Sequence, residues 1–191
     1  MNRLILIAAL PLMLAACKQE AAAPPAPVSM TAEAVGHFCQ MDLLEHPGPK
    51  AQVHLEGLPY PLFFSQVRDA EAYRRMPEQS HAITAVYVSD MAVAPGWDDP
   101  GADNWIAAGD AIYVVGAARL GGMGGQEFVP FSDPEAARAF AARHGGDVMG
   151  LTDIPDRLVL AAATPTAAAA PDADDSDYLD RLRAVAPKTG D

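Results

Sequence analysis

Two phrases of this chain are written on one plan: "FFSQVRDAEAY" at residues 63–73 and "PFSDPEAARAF" at residues 130–140. Aligned, Phe64-Ser65 falls on Phe131-Ser132, Ala70 on Ala137, Ala72 on Ala139 and Tyr73 on Phe140. In the first phrase Ser65 fits a helix N-cap, with apolar positions Val67, Ala70 and Tyr73 behind it and Pro77 to end the helix. In the second, "SDPE" reads as a capping box in which Ser132 caps and Glu135 reaches back. That helix runs through Ala136 and Phe140 to His144, where Gly145 and Gly146 can stop it in the left-handed conformation.

Strand signals lie at equivalent places around both helices. Ala51–Leu55 and Tyr60–Phe64 are apolar runs separated by Gly57 and Pro59, and "AITAVYVSD" follows the first helix. Ile112–Val115 and Glu127–Phe131 precede the second helix, and Val148–Leu151 follows it. The pattern is strand, strand, helix, strand, twice. It predicts an α+β fold made of two ββαβ units, an internal duplication of mostly antiparallel sheets with a helix packed on each. The connecting segment "MAVAPGWDDPGADNWIAAGD" is Pro/Gly/Asp-rich and holds both tryptophans. Asp98, Asp99 and Asp103 there are read as turn residues, not as a cation site.

The ends read differently from this body, which spans residues 31–160. The chain begins "MNRLILIAALPLMLAACKQE". A cationic start is followed by an apolar run shorter than the ~20 residues of a membrane span, the pattern of a secretory signal over residues 1–16. "LAAC" resembles the lipobox of bacterial lipoproteins. That resemblance implies lipidation of Cys17 as the mature N-terminus, with Lys18 next to it favouring the outer membrane. Residues 17–30 are Ala/Pro-rich and read as a lipidated tether. Residues 161–191 are Ala/Pro-rich and then acidic, and read as a disordered acidic tail. Within it, "DYLDRLRAV" has the spacing of a short amphipathic helix through Tyr178, Leu182 and Val185. The formal net charge of −12 and the lack of a basic stripe exclude nucleic acid as a partner.

An exported protein sits where thiols usually pair. With Cys17 acylated, Cys39 has no intramolecular partner, which points to a reactive thiol, a metal ligand or an intermolecular bond. Met41 stands two residues on. On a helix the two side chains would diverge by about 200°; in an extended segment they share a face, with Cα atoms about 6.6–6.8 Å apart. "HPGP" just beyond disfavours a helix. Thiolate with thioether is a soft pair that suits Cu(I), whereas calcium or magnesium wants oxygens and zinc wants four N/S ligands. The alternative from the same residues is a buried thiol beside a gap-filling methionine. Met123, in "GGMGG", has little to pack against locally and is a candidate third donor. Met91, after the last strand of the first unit, is another. His37, His46 and His54 lie near the motif. Met76 and Met149 are read as packing, and His81 and His144 as helix-end residues.

Six blocks, "FCQM…EHPGPKAQV", "FFSQVRDAEAY", "AVYVSDM", "GGMG", "VPFSDPEAARAFAARHGG" and "DIPDRLVL", together with the lipobox, resemble the NosL family of copper lipoproteins. The match runs in order from about Gly36 to Leu160. It implies a periplasmic Cu(I) metallochaperone for the copper–sulfide centre of nitrous oxide reductase, working with an ABC-type membrane complex. It also implies a fold similar to the organomercurial lyase family. Carried over, the family's Cys and Met fall on Cys39 and Met41, and its recurrent methionines on Met91 and Met123. Where the family has a small residue, often glycine, this chain has Gln40. Two other classes stand beside this reading. A lyase-type or cysteine-hydrolase enzyme would need further thiolates, or a base such as His37 or His81 held by a third group. A plain lipoprotein interaction module would leave Cys39 inert.

Overall fold

The computed structural model describes residues 23–160. The signal segment, Cys17, most of the tether and the tail with its amphipathic stretch lie outside the described residues. Two antiparallel sheets form the body. The first has strands β1 (Ala51–Leu55), β2 (Leu62–Phe64), β3 (Ile83–Ser89) and β4 (Trp105–Ala107) in the order β2-β1-β3-β4. The second has β5 (Ile112–Leu120), β6 (Gln126–Phe131) and β7 (Asp147–Gly150) in the order β6-β5-β7. Helix α1 (Val67–Arg75) joins β2 to β3, and α2 (Pro134–His144) joins β6 to β7. Each unit thus places its first strand at the centre: Ala51 pairs with Phe64 and Val88, Ile112 with Phe131 and Gly150. A short helix α3 (Asp156–Val159) closes the described chain.

Both helix starts lie one residue later than the sequence predicts. Gln66, not Ser65, is the N-cap of α1, and it makes no side-chain cap bond. Asp133, not Ser132, caps α2 by accepting from the Glu135 N–H at 2.9 Å. Pro134 at the first helical position explains the second shift: its fixed φ suits N1 and leaves the preceding Asp to cap. The freed Ser65 has another use, described below. Gly145 and Gly146 do stop α2, with φ of 75° and 94°. Strand β4, three residues long, lies inside the segment read as a connection, where Pro, Gly and Asp hide so short an apolar run.

The second sheet is covered on both faces. Alternation along β5 sends Tyr113 and Val115 into a core shared with Val53, Phe64, Val67 and Val88 of the first unit. Val114 points the other way, to α2, with Val129, Phe131, Ala137 and Phe140. Gly116, at φ 82°, sits in a register shift of β5. It turns Ala117 to the Val114 side, the effect of one extra residue in a strand. The two units therefore share one principal core. The start of the body also reaches into the stretch read as tether: Met30 is buried. Val28 exchanges two hydrogen bonds with the buried Gln52 side chain, at 2.8 and 3.0 Å.

Candidate metal centre

Cys39 stands on a closed loop. Val35 and Asp42 pair as an antiparallel bridge, the Gly36 N–H donates to Met41 O at 3.0 Å and the Gln40 N–H to Gly36 O at 2.8 Å. Residues 37–39 form a turn. Gln40 is the one non-glycine described residue with positive φ, 56°, a left-handed conformation that glycine adopts without steric cost. Its side-chain amide donates to His37 O at 2.6 Å, which helps hold that shape. Cys39 and Met41 are therefore not on one face of an extended segment, as the spacing argument supposed. The left-handed residue between them reverses the chain.

The loop is fastened to the first sheet. Gly36 bridges Phe63 in parallel, and the His37 N–H donates to Phe63 O at 2.6 Å. Phe38 packs edge-on to Phe64, ring centres 5.2 Å apart, and His37 sits edge-on to Phe64 and Tyr73 at 5.6 and 5.5 Å. The half-buried Cys39 thiol receives the Ser65 hydroxyl at 3.6 Å. It also lies so close over Gly36 that a Cβ there would overlap the sulfur.

The opposite wall comes from the second sheet. The turn between β5 and β6 is the glycine run, closed by Gly121 N–H to Gly125 O at 2.8 Å and Gly124 N–H to Gly121 O at 2.9 Å. It is pressed onto the first unit. A Cβ on Gly122 would stand 2.7 Å from His46 Cβ and 3.0 Å from Ser65 O. One on Gly121 would meet Gln66 Nε2 and Glu127 Oε2 at 2.5 and 2.6 Å. A side chain at Gly122 would force the turn off the first unit, whereas at Gly121 the ends of the Gln66 and Glu127 side chains would have to move. Met123, at the crown of the turn, is 43% exposed. Cys39 and Met123 line one cavity of about 410 Å³, together with Phe38, Gln66, Asp69 and Met76.

Not every sequence candidate converges there. Met41, on the Cys39 loop, is exposed and does not line the cavity. Met91 packs against the α2 core and lines a different cavity, with Trp97, Arg119 and His144. His54 is held by Gln52 Oε1 at 2.8 Å, and burial lowers its pKa. His46 lies against the glycine turn, and its Nε2 is buried with no hydrogen-bond partner among the described residues. Those residues hold no group of three or more His, Cys, Asp or Glu side chains that could bind a metal.

Beneath the site lie two buried ionisable groups that the sequence reading missed. Lys50 is fully buried, and its ammonium donates to Gly48 O at 2.6 Å and Pro47 O at 3.1 Å. Burial pulls its pKa down to about 8, against the negative charges of Glu127 and Cys39. Glu127 is pushed up to about 8 by burial, against the N–H groups of Arg68 and Phe128 that donate to its Oε1. Its Oε2 has no hydrogen-bond partner among the described residues. A lysine heading a buried strand and a glutamate within one carry no sequence periodicity that marks them out.

The NosL family model matches residues 27–159, nearly the whole described body. The chain belongs to the NosL family. It is 56% identical over 185 residues to the copper-binding lipoprotein NosL of Achromobacter cycloclastes, covering 96% of this chain and 94% of that one. It is 32% identical over 129 residues to the copper-binding lipoprotein NosL of Stutzerimonas stutzeri, covering 67% of this chain and 65% of that one. The crystal structure of the copper chaperone NosL from Shewanella denitrificans superposes with a TM-score of 0.64 at 31% identity, over 69% of this chain and 97% of that one. The NosL match takes in both loops of the cavity and begins before Met30.

Proposed function

We infer that this protein is a copper chaperone that serves maturation of nitrous oxide reductase. It is a lipid-anchored carrier and not an enzyme. One observation supports Cu(I) as the cargo above the others: a lone thiol and a thioether, brought by loops from two different sheets, face one cavity. Cys39 as thiolate and Met123 as thioether are the proposed principal donors. Met41, on the rim of the same loop, supplies the third when it swings inward. Met91 stands outside this set because its side chain serves the α2 core. The Ser65 hydroxyl donates to the Cys39 sulfur, and the buried Lys50 ammonium lies below the loop.

Two or three soft donors leave copper open to attack. A partner can add its own donor before the first one leaves, so tight holding and quick release are compatible. The lipid on Cys17 and the tether restrict the search and raise the local concentration near membrane partners. We place the anchor at the outer membrane and the hand-over at the periplasmic part of an ABC-type assembly complex. The matching ββαβ units fit an internal duplication and kinship with the organomercurial lyase fold.

Anaerobic Cu(I) titration of residues 18–191 against a chromogenic chelator tests the donor set. One copper per chain is expected, abolished in Cys39→Ser, weakened at least tenfold in Met123→Leu, weakened less in Met41→Leu and unchanged in Met91→Leu. Equal competition by wild type and Cys39→Ser would remove the site from Cys39.

A further inference from the structure

Residues 23–30, read from sequence as part of a tether, are strapped along the first sheet. Met30 packs with Leu43 and Trp105, and Trp105 pairs with the Ser89 whose N–H donates to Lys50 O at 2.9 Å. This is the end where β1 begins. Further back, Val28 is bound to Gln52, which is wholly buried on the face of β1 turned away from the core. The Tyr87 hydroxyl donates to Pro25 O at 2.7 Å. Ala23, Pro24 and Pro25 then line a cleft with Leu55, Gly57 and Leu58, so the strap ends beside the turn between β1 and β2. Residues 18–22 separate Cys17 from Ala23, and at ~3.3–3.6 Å per residue that link reaches at most about 20 Å. A lipid on Cys17 thus keeps this turn, and no other part of the sheet, close to the bilayer surface. The turn suits that surface. Its sequence "GLPYP" at residues 57–61 carries no charge. Leu58 is 41% exposed and Tyr60 76% exposed. Tyrosine favours the membrane–water interface, where its ring is apolar and its hydroxyl wet. Pro59 and Pro61 fix the backbone on either side of it.

We propose that the β1–β2 turn is a membrane-contact face, with Leu58 and Tyr60 seated among the lipid headgroups of the bilayer that holds the anchor. The proposal rests on reading Cys17 as lipidated, and not on copper. Glu56 stands at the start of the turn, so the contact is apolar and calls for no anionic lipid. Cys39 lies at the other end of the same strands. Ala51 pairs with Phe64, and Ser65, next in the chain, meets the thiol, whereas Leu55 leads into the turn. Between those ends β1 covers about 13 Å, at ~3.4 Å per residue. The contact therefore holds Cys39 away from its own bilayer, open to a donor or acceptor that arrives from the aqueous side.

The test uses the mature lipidated chain, metal-free, in phosphatidylcholine nanodiscs that contain a gadolinium-chelate lipid. Paramagnetic relaxation enhancement is read at backbone amides. Enhancement at Gly57, Leu58 and Tyr60 is expected to exceed that at Leu44 and Met123 at least threefold. Leu44 is the matched control, a leucine 45% exposed on the chain leading to His46 and the glycine turn. In Leu58→Ser/Tyr60→Ser the enhancement at the turn should fall at least twofold while the chain stays on the discs. Equal enhancement at both ends would overturn the proposal, because the body would then tumble freely on its link. A stronger effect at Leu44 and Met123 would overturn it too. So would an unchanged turn in the double variant, which would leave Leu58 and Tyr60 to a protein partner. A mature chain whose mass lacks acyl groups would remove the anchor and the proposal together; the other adverse results remove the proposal alone. None of these readouts involves copper.

Discussion

The glycine turn that carries Met123 is braced at Gly122, and alanine there is the most direct probe of the site's construction. Gly122 does not have a positive φ, so alanine costs nothing in backbone conformation. The cost is contact. The new Cβ would stand 2.7 Å from His46 Cβ, 3.0 Å from Ser65 O and 3.2 Å from Pro47 O. None of these is the free end of a side chain that can rotate away. Ordinary carbon contacts need about 3.5–4.0 Å, so the turn must lift by most of an ångström. Overpacking of this kind costs ~1–3 kcal/mol, offset by ~0.4–1 kcal/mol from a stiffer unfolded chain. A net loss of about 1–2 kcal/mol follows, seen as a fall in Tm of several degrees for the apo protein. Met123 moves with the turn, and Cu(I) affinity is expected to drop tenfold or more, about 1.4 kcal/mol for each factor of ten. Gly125→Ala is the control in the same turn: its φ is not positive, and its Cβ would find its nearest neighbours at ordinary contact, 3.6 and 3.7 Å. Thermal unfolding and anaerobic copper competition read both variants. If Gly122→Ala loses stability but keeps its copper affinity, the position of Met123 does not matter to the metal. If it matches Gly125→Ala in both, the turn is not braced.

Two further outcomes follow from the same geometry. Gly36→Ala forces the Cys39 sulfur off its seat and away from the Ser65 hydroxyl; copper affinity should fall severalfold while Gly109→Ala, whose Cβ meets nothing within 4 Å, leaves it unchanged. The buried charges set the pH profile of the apo protein. Glu127 holds its proton in the fold up to about pH 8 but loses it near 4.5 when unfolded, so between those values the folded state binds more protons and stability falls as pH rises. Lys50 gives up its proton near pH 8 when folded but near 10.5 when unfolded, so over that window the unfolded state binds more protons and stability rises with pH. Urea unfolding from pH 5 to 10 should show a minimum near pH 8, and Glu127→Gln should flatten the acid limb only; a flat profile in wild type would contradict these assignments.

The architecture was legible because two phrases share their aromatic and alanine positions, which forced a repeated strand, strand, helix, strand order. The helix caps were displaced by one residue because serine is a good cap in general, while Pro134 makes Asp133 the better one here. At the site, residue type was legible and conformation was not. Cys39 and Met41 advertise soft-metal chemistry, but Gln40 in a left-handed conformation breaks the extended geometry that spacing alone suggests. Met123 and Met91 look alike in sequence, each beside a strand end. Only the packing of the second sheet on the first sends one to the Cys39 cavity and the other to α2. Lys50 and Glu127 were invisible because a buried charge depends on tertiary neighbours, which no local pattern reports.

The two proposed principal donors sit on opposite sides of a seam. Cys39 is fastened to the first sheet through Phe63, Met123 rides on the second, and the two meet where Gly122 presses on His46 and Ser65. Metal held across that seam would act as a clasp between the halves of the molecule, its binding energy adding to the work of prising them apart. With Cys39 and Met123 as donors, the full set would exist only once the sheets have docked. A copy whose sheets have not docked would then hold copper with fewer donors, and more weakly.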